Sequence, residues 1–309
     1  MSAAGPAPIE SLEVPAALAG ERIDRAVALL TGWSRADVQV LIDDAQIQVD
    51  GRTVIKSRRL REGEVIDLLA EPQPVGLPQP QDIPLVIVHE DADVIVVDKP
   101  AGIIVHPGAG HPHGTLVNGL LARYPEIADV GDPARPGIVH RLDANTSGLL
   151  AVARTSVAYD ALVSALAQRS VDRGYLALVW GTPDAASGVV DAPIGRSIRR
   201  PTRMAIREGG RQARTRYTVE RSFPDAGASL LRCTLETGRT HQIRVHLAAI
   251  HHPVVGDPAY GGIRSGIEIG RPFLHAATLE LAHPVTGEPL RFASELPPEL
   301  VAVLDRLAD

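Results

Sequence analysis

The sequence predicts an α+β fold, in which a mixed, largely antiparallel sheet with helices against it follows a small N-terminal α/β module. Strand-like apolar runs joined by short turns recur over residues 83–309, which argues against a doubly wound nucleotide-binding fold. A helical pattern and two short strand patterns occupy residues 19–69. Prolines concentrate in residues 70–82, a composition typical of a stiff linker between two domains.

Length and composition limit the class of protein. A chain of 309 residues exceeds the usual single-core size, and a hydrophobic content of 45% excludes a wholly disordered chain. Cys233 is the only cysteine, which excludes an internal disulfide, an iron–sulfur cluster and a cysteine-rich zinc site. Residues 1–18 lack the features of a signal peptide and are predicted to be a disordered tail. No run is long enough to span a membrane, so we expect a cytoplasmic protein.

The N-terminal module is predicted from four segments. Residues 22–30 have helical spacing, and Ser34 is the expected N-cap of a second helix. Residues 47–51 and 64–68 are predicted strands. Between them, residues 52–61 carry five cations and no acidic residue. This segment could form an RNA-contacting surface, or it could be a solvated loop.

The main domain is predicted from periodicity and turn residues. Its strand and helix patterns are a hairpin over 85–97, helices over 115–122 and 155–168 with Thr155 as the cap, buried strands over 137–139 and 149–152, paired strands over 215–221 and 229–235, and a helix from 240 to 247. The strands over 137–139 and 149–152 flank a polar turn that contains Asp143. A turn between two rigid apolar segments is a common position for a catalytic group, although Asp143 could also serve only as a turn cap.

The polar turn carries a family resemblance. Residues 140–149 have the pattern His-Arg-Leu-Asp-x-x-Thr-Ser-Gly-Leu, which resembles the signature of the RluA/RluD family of RNA pseudouridine synthases. Residues 94–102, 173–181 and 235–247 resemble the other motifs of this family, in the same order and with similar spacing. The resemblance covers residues 84–297 and implies the catalytic domain of a pseudouridine synthase over 83–309.

The resemblance implies three site residues. Asp143 is the expected nucleophile or essential carboxylate, and the intermediate that it forms stays open. Tyr175 is expected to stack on the uracil, and its alternative role is that of a core aromatic. Arg244 is expected to pair with Asp143, with a surface arginine as the alternative. The isomerisation requires no redox or energy cofactor.

RNA contacts are expected in two regions. Residues 196–216 contain eight arginines and one acidic residue, although the formal net charge of the chain is -6. In the resembled family a basic hairpin at this position grips RNA, which implies contacts from Arg199, Arg200 and Arg203, and Arg141 is expected to fill the space left by the flipped base. Residues 19–69 resemble the alpha-L RNA-binding module of a small-subunit ribosomal protein, which implies contacts from a further set of side chains: Arg22, Arg25, Ser34, Arg35, Arg58 and Arg59.

Other functional classes are less well supported by the sequence. The glycine spacing over residues 108–114 differs from that of a dinucleotide fingerprint. His106, His111 and His113 lack the spacing of a zinc site, so no metal is expected. Residues 140–147 lack a nucleophile elbow, which argues against a serine hydrolase.

We therefore expect a monomeric pseudouridine synthase that acts on structured RNA, with large-subunit ribosomal RNA as the expected substrate. A transfer-RNA pseudouridine synthase is the first alternative. The second is a noncatalytic RNA-binding or ribosome-assembly protein.

Overall fold

The structure is a computed structural model that describes residues 8–72, 77–108, 111–198, 200 and 203–308. These residues form two compact units. The first contains the described residues up to 77 together with those of 107–113, and the second contains the other described residues. The hydrophobic core of the first unit shares no residue with the core of the second.

Four short strands and two helices make up the described part of the first unit. They are β1 (Glu10–Glu13), α1 (Ile23–Thr31), α2 (Arg35–Asp43), β2 (Ile47–Val49), β3 (Arg52–Thr53) and β4 (Val65–Leu68), with a 3₁₀ turn over Ala16–Leu18. The strands pair antiparallel in the order β1-β4-β2-β3. The Ser34 side chain accepts a hydrogen bond from the Asp37 amide, so the predicted N-cap of α2 is confirmed.

The predicted disordered tail over residues 1–18 is wrong for residues 10–18. β1 pairs with β4 from Glu10 to Glu13, and Val14 is buried in the core of the first unit. The order arises because β1 supplies an edge strand and Val14 supplies apolar surface to a small core. Residues 1–7, also part of this prediction, lie outside the described residues.

Part of the predicted linker over residues 70–82 also belongs to a unit. The Gln81 amide donates a hydrogen bond to the Asn118 carbonyl, and the Asn118 side chain donates to the Gln79 carbonyl. The segment from Pro78 onward is therefore bonded to the second unit, while residues 73–76 lie outside the described residues.

The second unit contains eleven strands and four helices in its described residues. They are β5 (Val86–Glu90), β6 (Val94–Lys99), α3 (Leu116–Arg123), β7 (Ser147–Ala153), α4 (Ser156–Ala167), β8 (Asp172–Trp180), β9 (Ser187–Asp191), β10 (Ile194–Arg196), β11 (Met204–Ile206), β12 (Arg214–Phe223), β13 (Ala228–Leu235), α5 (Gln242–Ala249), β14 (Leu274–Ala282), β15 (Pro289–Ala293) and α6 (Pro298–Ala308). Two 3₁₀ turns lie at Pro125–Asp129 and Pro224–Ala226. Among these residues no helix is long and apolar enough to cross a membrane.

A nine-stranded sheet forms the centre of the second unit. Its order is β5-β6-β7-β14-β8-β13-β12-β9, with β15 paired to β14, while β10 and β11 form a separate hairpin. Among the described strands of this sheet, only β7 and β14 pair in parallel, and the other pairings are antiparallel. The predicted α+β class with a mixed, largely antiparallel sheet is confirmed.

The parallel contact between β7 and β14 depends on a glycine. Gly148 has a φ of 113°, and a Cβ atom on it would lie 2.2 Å from the Ala276 carbonyl oxygen. A larger residue would therefore push β14 away from β7. Because β7 begins at Ser147, this contact fixes the end of the polar turn that carries Asp143.

The predicted strand over residues 137–139 is wrong. Only Ile138 pairs with a strand, through an isolated bridge to Val152. Gly137 has a φ of 72°, which is incompatible with an extended strand, and Ile138 is buried as part of a turn.

Candidate active site

The turn that carries Asp143 is held by a buried lysine. Lys99, at the end of β6, is fully buried, and its Nζ donates hydrogen bonds of 2.8–2.9 Å to the carbonyls of Pro100, Ile103 and Ala144. Within the turn, the Thr146 amide donates to the Asp143 carbonyl at 3.0 Å. Burial lowers the pKa of Lys99 to about 7, and the charge of Asp143 opposes this shift. The lysine thus fixes the backbone next to Asp143.

Two carboxylates hold Arg244. Its Nη1 donates to Asp143 Oδ2 at 2.9 Å, and its Nε and Nη2 donate to the two oxygens of Asp257 at 2.6 and 2.9 Å. Asp257 is fully buried and also accepts hydrogen bonds from the backbone amides of Ala259 and Tyr260. Burial would lower the pKa of Arg244, but the hydrogen bonds and charges of Asp257 and Asp143 raise it above its usual value. The predicted pair of Asp143 and Arg244 is thus in direct contact.

Tyr175 lies beside this pair. It is on β8, is 4% exposed, and lines a cavity of about 40 Å³ together with Asp143 and Arg244. Burial raises the pKa of Tyr175, so the phenol stays protonated near neutral pH. The structure therefore brings the three predicted site residues together, although they are far apart in the sequence.

A larger cavity of about 770 Å³ adjoins the site. Asp143, Arg141 and Tyr175 line both cavities. The wall of the larger cavity includes six arginines: Arg135, Arg141, Arg169, Arg173, Arg211 and Arg239. Glu236, the second acidic residue in this wall, lies within 4 Å of the side chains of Arg169, Arg214 and Arg216. The cavity is suited to a polyanion that reaches Asp143.

The basic hairpin formed by β10 and β11 reaches this cavity through Ile194 and Met204. Arg203 does not extend freely into solvent, because its Nη1 is hydrogen-bonded to the Ala259 carbonyl. Arg200 is exposed and its amide donates to the Ser197 hydroxyl at 3.1 Å. Arg199 lies outside the described residues.

The six predicted RNA contacts of the first unit are already engaged within that unit. Arg22 and Arg35 both donate to the buried carboxylate of Asp24 and keep 40% and 45% of their side chains exposed. The other contacts are Arg25 with Glu21, Arg58 with Glu64, Arg59 with the Gly20 carbonyl, and Ser34 with the Asp37 amide. These bonds hold the side chains at defined positions.

One cluster of the described residues has the composition of a metal site. Ligand atoms of Asp91, Asp93 and His283 lie within 4.8 Å of one another. His283 Nδ1 accepts hydrogen bonds from the Val285 and Thr286 amides, so the ring N–H is on Nε2, 3.3 Å from Asp91 Oδ2. A protonated nitrogen is a donor and not a ligand, so this arrangement fits a hydrogen-bond network better than a metal site.

Sequence reasoning missed Lys99, Asp257, His241 and Tyr260. Lys99 is one of only two lysines and ends an apolar strand, which is a detectable signal. Asp257 follows the apolar pair Val254-Val255 and a glycine, as Asp143 follows an apolar run, but nothing local connects it with Arg244. Their association depends on the tertiary structure.

Comparisons with known proteins agree with this geometry. A family model described as RNA pseudouridylate synthase matches residues 93–249. Ribosomal large subunit pseudouridine synthase D of Nitrosomonas europaea is 45% identical, over 96% of this chain and 87% of that protein. An uncharacterized RNA pseudouridine synthase of Chloroflexus aurantiacus is 48% identical, over 96% of this chain and 93% of that protein.

A solved structure of an RNA pseudouridylate synthase domain has a similar fold. Human RNA pseudouridylate synthase domain-containing protein 1 has a TM-score of 0.57 and 29% identity, and the alignment covers 77% of this chain and 96% of that one. The region that the family model matches, residues 93–249, includes Asp143, Tyr175 and Arg244. The chain therefore belongs to the RNA pseudouridine synthases, in the RluA/RluD family.

Proposed function

We propose that this enzyme isomerises uridine to pseudouridine in large-subunit ribosomal RNA. The main support is the position of the Asp143 carboxylate. Its Oδ2 lies 2.9 Å from Arg244 Nη1, beside a cavity whose wall includes six arginines. Several relatives are named ribosomal large subunit pseudouridine synthase D, which supports this substrate over transfer RNA. A ribosomal RNA substrate implies a cytoplasmic enzyme. We further propose that the enzyme acts as a monomer.

The reaction breaks the bond between ribose C1′ and uracil N1, and makes a bond between C1′ and C5. The C5 proton leaves and N1 gains a proton, so substrate and product contain the same atoms. Asp143 is the proposed nucleophile or essential carboxylate. Arg244 stabilises its negative charge and is itself fixed by Asp257, so the carboxylate is oriented before the substrate arrives.

The other proposed roles follow from position. Tyr175 stacks on the flipped uracil and, as a protonated phenol in the free enzyme, becomes a proton acceptor only late in the reaction. Arg141 is exposed and lines both cavities, so it is suited to occupy the space that the flipped base vacates. Arg200 and Arg203 of the hairpin, and Arg199 by resemblance, contact the RNA backbone.

The first unit, with the predicted alpha-L module over residues 19–69, is proposed to bind the same RNA. Its cations Arg22 and Arg35 are held by Asp24 but remain partly exposed, so they can contact phosphates without losing their internal partner. Arg25, Arg58 and Arg59, with Ser34 as a cap, complete the proposed set. The proposed boundary with the catalytic domain lies within the predicted linker over residues 70–82, before the segment from Pro78 onward that is bonded to the second unit.

The test uses pseudouridine mapping. Pseudouridines are mapped in total RNA from cells with and without the gene. The purified protein is then incubated with a transcript that contains the uridine left unmodified in the cells without the gene. We expect conversion without added metal, nucleotide or reductant. Asp143→Asn is the matched variant, because it preserves side-chain size and removes the charge, and we expect RNA binding without conversion. Normal conversion by folded Asp143→Asn protein would refute the catalytic assignment. Loss of a transfer-RNA site instead would refute the proposed substrate.

A further inference from the structure

His241 has an unusual backbone conformation beside the candidate active site. It precedes α5 with a φ of 57°, a region that non-glycine residues occupy only uncommonly. Its side chain makes no capping hydrogen bond to the helix, so helix stabilisation does not account for the conformation. The ring instead lies between Tyr260 and Asp143. A backbone outlier maintained at such a position indicates a role for the side chain.

Tyr260 determines which ring nitrogen of His241 carries the proton. The Tyr260 hydroxyl oxygen accepts the Met204 amide at 3.0 Å and lies 2.9 Å from His241 Nδ1. Burial lowers the pKa of His241, so the ring is neutral near pH 7 and has a single N–H. If Nδ1 carried that proton, the phenol hydrogen would have no acceptor among the described residues. With the phenol donating to Nδ1, the phenol hydrogen and the Nδ1 lone pair each have a partner, and the ring proton lies on Nε2.

The Nε2 atom faces the Asp143 carboxylate. It is 4.0 Å from Oδ2, the same oxygen that accepts the hydrogen bond from Arg244. Among the described residues, no group donates a hydrogen bond to Oδ1 of Asp143. Arg244 therefore donates to Oδ2, the Nε2–H of His241 faces the same oxygen, and Oδ1 stays open. A separation of 4.0 Å is longer than a direct hydrogen bond, and such contacts often tighten when the substrate binds.

We propose that His241 is a positioning residue, which acts with Arg244 to orient Asp143 so that Oδ1 meets the substrate. Tyr260 maintains the required tautomer, and Met204 at the start of β11 holds Tyr260. This role rests on the proposed function. It concerns a residue outside the predicted set of Asp143, Tyr175 and Arg244.

The charges around His241 set its pH dependence. Asp143, Arg244, Asp257 and Arg141 act on the ring, and the two carboxylates favour its protonation while the two arginines oppose it. Protonation puts a hydrogen on Nδ1, which then no longer accepts from Tyr260. The rate of conversion should therefore fall as the pH drops through the lowered pKa of His241, and a variant without the ring should lack this limb.

The test compares His241→Asn with His251→Asn. Asparagine tolerates a positive φ, and His251 is a matched control because it is exposed, lies at the other end of α5, and has a φ of 68°. Single-turnover rates are measured at saturating enzyme, and RNA affinity is measured separately. We expect His241→Asn to lower the rate about tenfold, the value of one positioned hydrogen bond, with RNA affinity within about twofold of wild type. His251→Asn should match wild type.

Tyr260→Phe is the second variant, and it keeps the proposal testable if His241→Asn does not fold. It should lower the rate in the same direction and alter the pH profile. In ¹⁵N-labelled wild type, nuclear magnetic resonance should find the His241 proton on Nε2, and Tyr260→Phe should reduce the population of that tautomer.

Three results would overturn the role of His241. The first is a variant, either His241→Asn or Tyr260→Phe, that folds and keeps the wild-type rate and pH profile. The second is a variant that loses RNA affinity but keeps the wild-type rate at saturation. The third is a nuclear magnetic resonance result that places the His241 proton of the wild-type protein on Nδ1. An inactive wild-type protein would instead refute the proposed function. Active wild type with equally active variants refutes only the positioning role.

Discussion

Asp257→Asn should destabilise the second unit and impair conversion, although Asp257 does not touch the proposed reacting carboxylate. Asp257 is fully buried and binds two nitrogens of Arg244, so the substitution removes one charge of a buried ion pair. The asparagine oxygen can still accept a hydrogen bond from one nitrogen of Arg244. Its NH₂ group is a donor, however, and would face the second nitrogen of Arg244, which is also a donor. Arg244 then keeps Asp143 as its only anionic partner.

The expected loss follows from the number of contacts. Asp257 accepts two charge-assisted hydrogen bonds of 2.6 and 2.9 Å, and each such bond contributes about 1.5–3 kcal/mol. Breaking a buried ion pair by removing one partner costs about 3–5 kcal/mol. Because asparagine retains one bond, we expect a loss of about 3 kcal/mol in the free energy of unfolding, and at least about a tenfold lower conversion rate as Arg244 loses its anchor.

Trp180 provides a local assay. It is buried in the second unit, and its Nε1 donates to the Gly262 carbonyl in the loop that follows Asp257. The only other tryptophan is Trp33, so urea unfolding in a Trp33→Phe background reports on the second unit by fluorescence. Asp132→Asn is the matched control, because Asp132 also binds an arginine and a backbone amide but lies at the surface. Asp132→Asn should lower the free energy of unfolding by at most about 1 kcal/mol.

The reasoning fails if Asp257→Asn unfolds at the same urea concentration as Asp132→Asn. It also fails in part if Asp257→Asn is destabilised but converts uridine at the wild-type rate when saturated. In that case Arg244 would be oriented by Asp143 alone, and the second carboxylate would contribute only to stability.

Three further predictions concern other parts of the chain. Tyr175→Phe should preserve RNA affinity and base stacking while lowering the single-turnover rate, and an unchanged rate would exclude a proton-transfer role for the phenol. A fragment lacking residues 1–77 should stay folded, because the two cores share no residues, and should bind the natural RNA more weakly with a shallower salt dependence, measured by filter binding at several salt concentrations. Burial would raise the pKa of Asp91, but hydrogen bonds from the Asp93 amide, from His89 and from the Val94 amide lower it to about 2. Asp91 should therefore stabilise the fold above about pH 4, and this contribution should be lost between about pH 4 and 2. Acid unfolding of Asp91→Asn should lack that part of the pH dependence, and identical acid curves would contradict the assignment.

Local features of the fold were predictable from the sequence. The caps Ser34 and Thr155 and the hairpin before Lys99 depend on side chains and turn residues that are near neighbours in the chain. The two wrong predictions have different causes, one in the tertiary structure and one in the local backbone. The tail over residues 1–18 offers little apolar surface of its own, and its strand is stable only because β4 supplies a partner. Residues 137–139 are apolar enough for a strand, but the positive φ of Gly137 makes them a turn.

Periodicity and motif spacing are local properties, so the amino-acid sequence was sufficient to predict the fold class, the turn that presents Asp143, and the motifs that contain Tyr175 and Arg244. How those residues meet depends on the folded chain. Asp143 and Arg244 are 101 positions apart, and their contact depends on the order of the strands in the sheet. The anchoring of Arg244 by Asp257 likewise follows from folding. Ion pairs and tautomers depend on distances between atoms, and a linear pattern does not specify those distances.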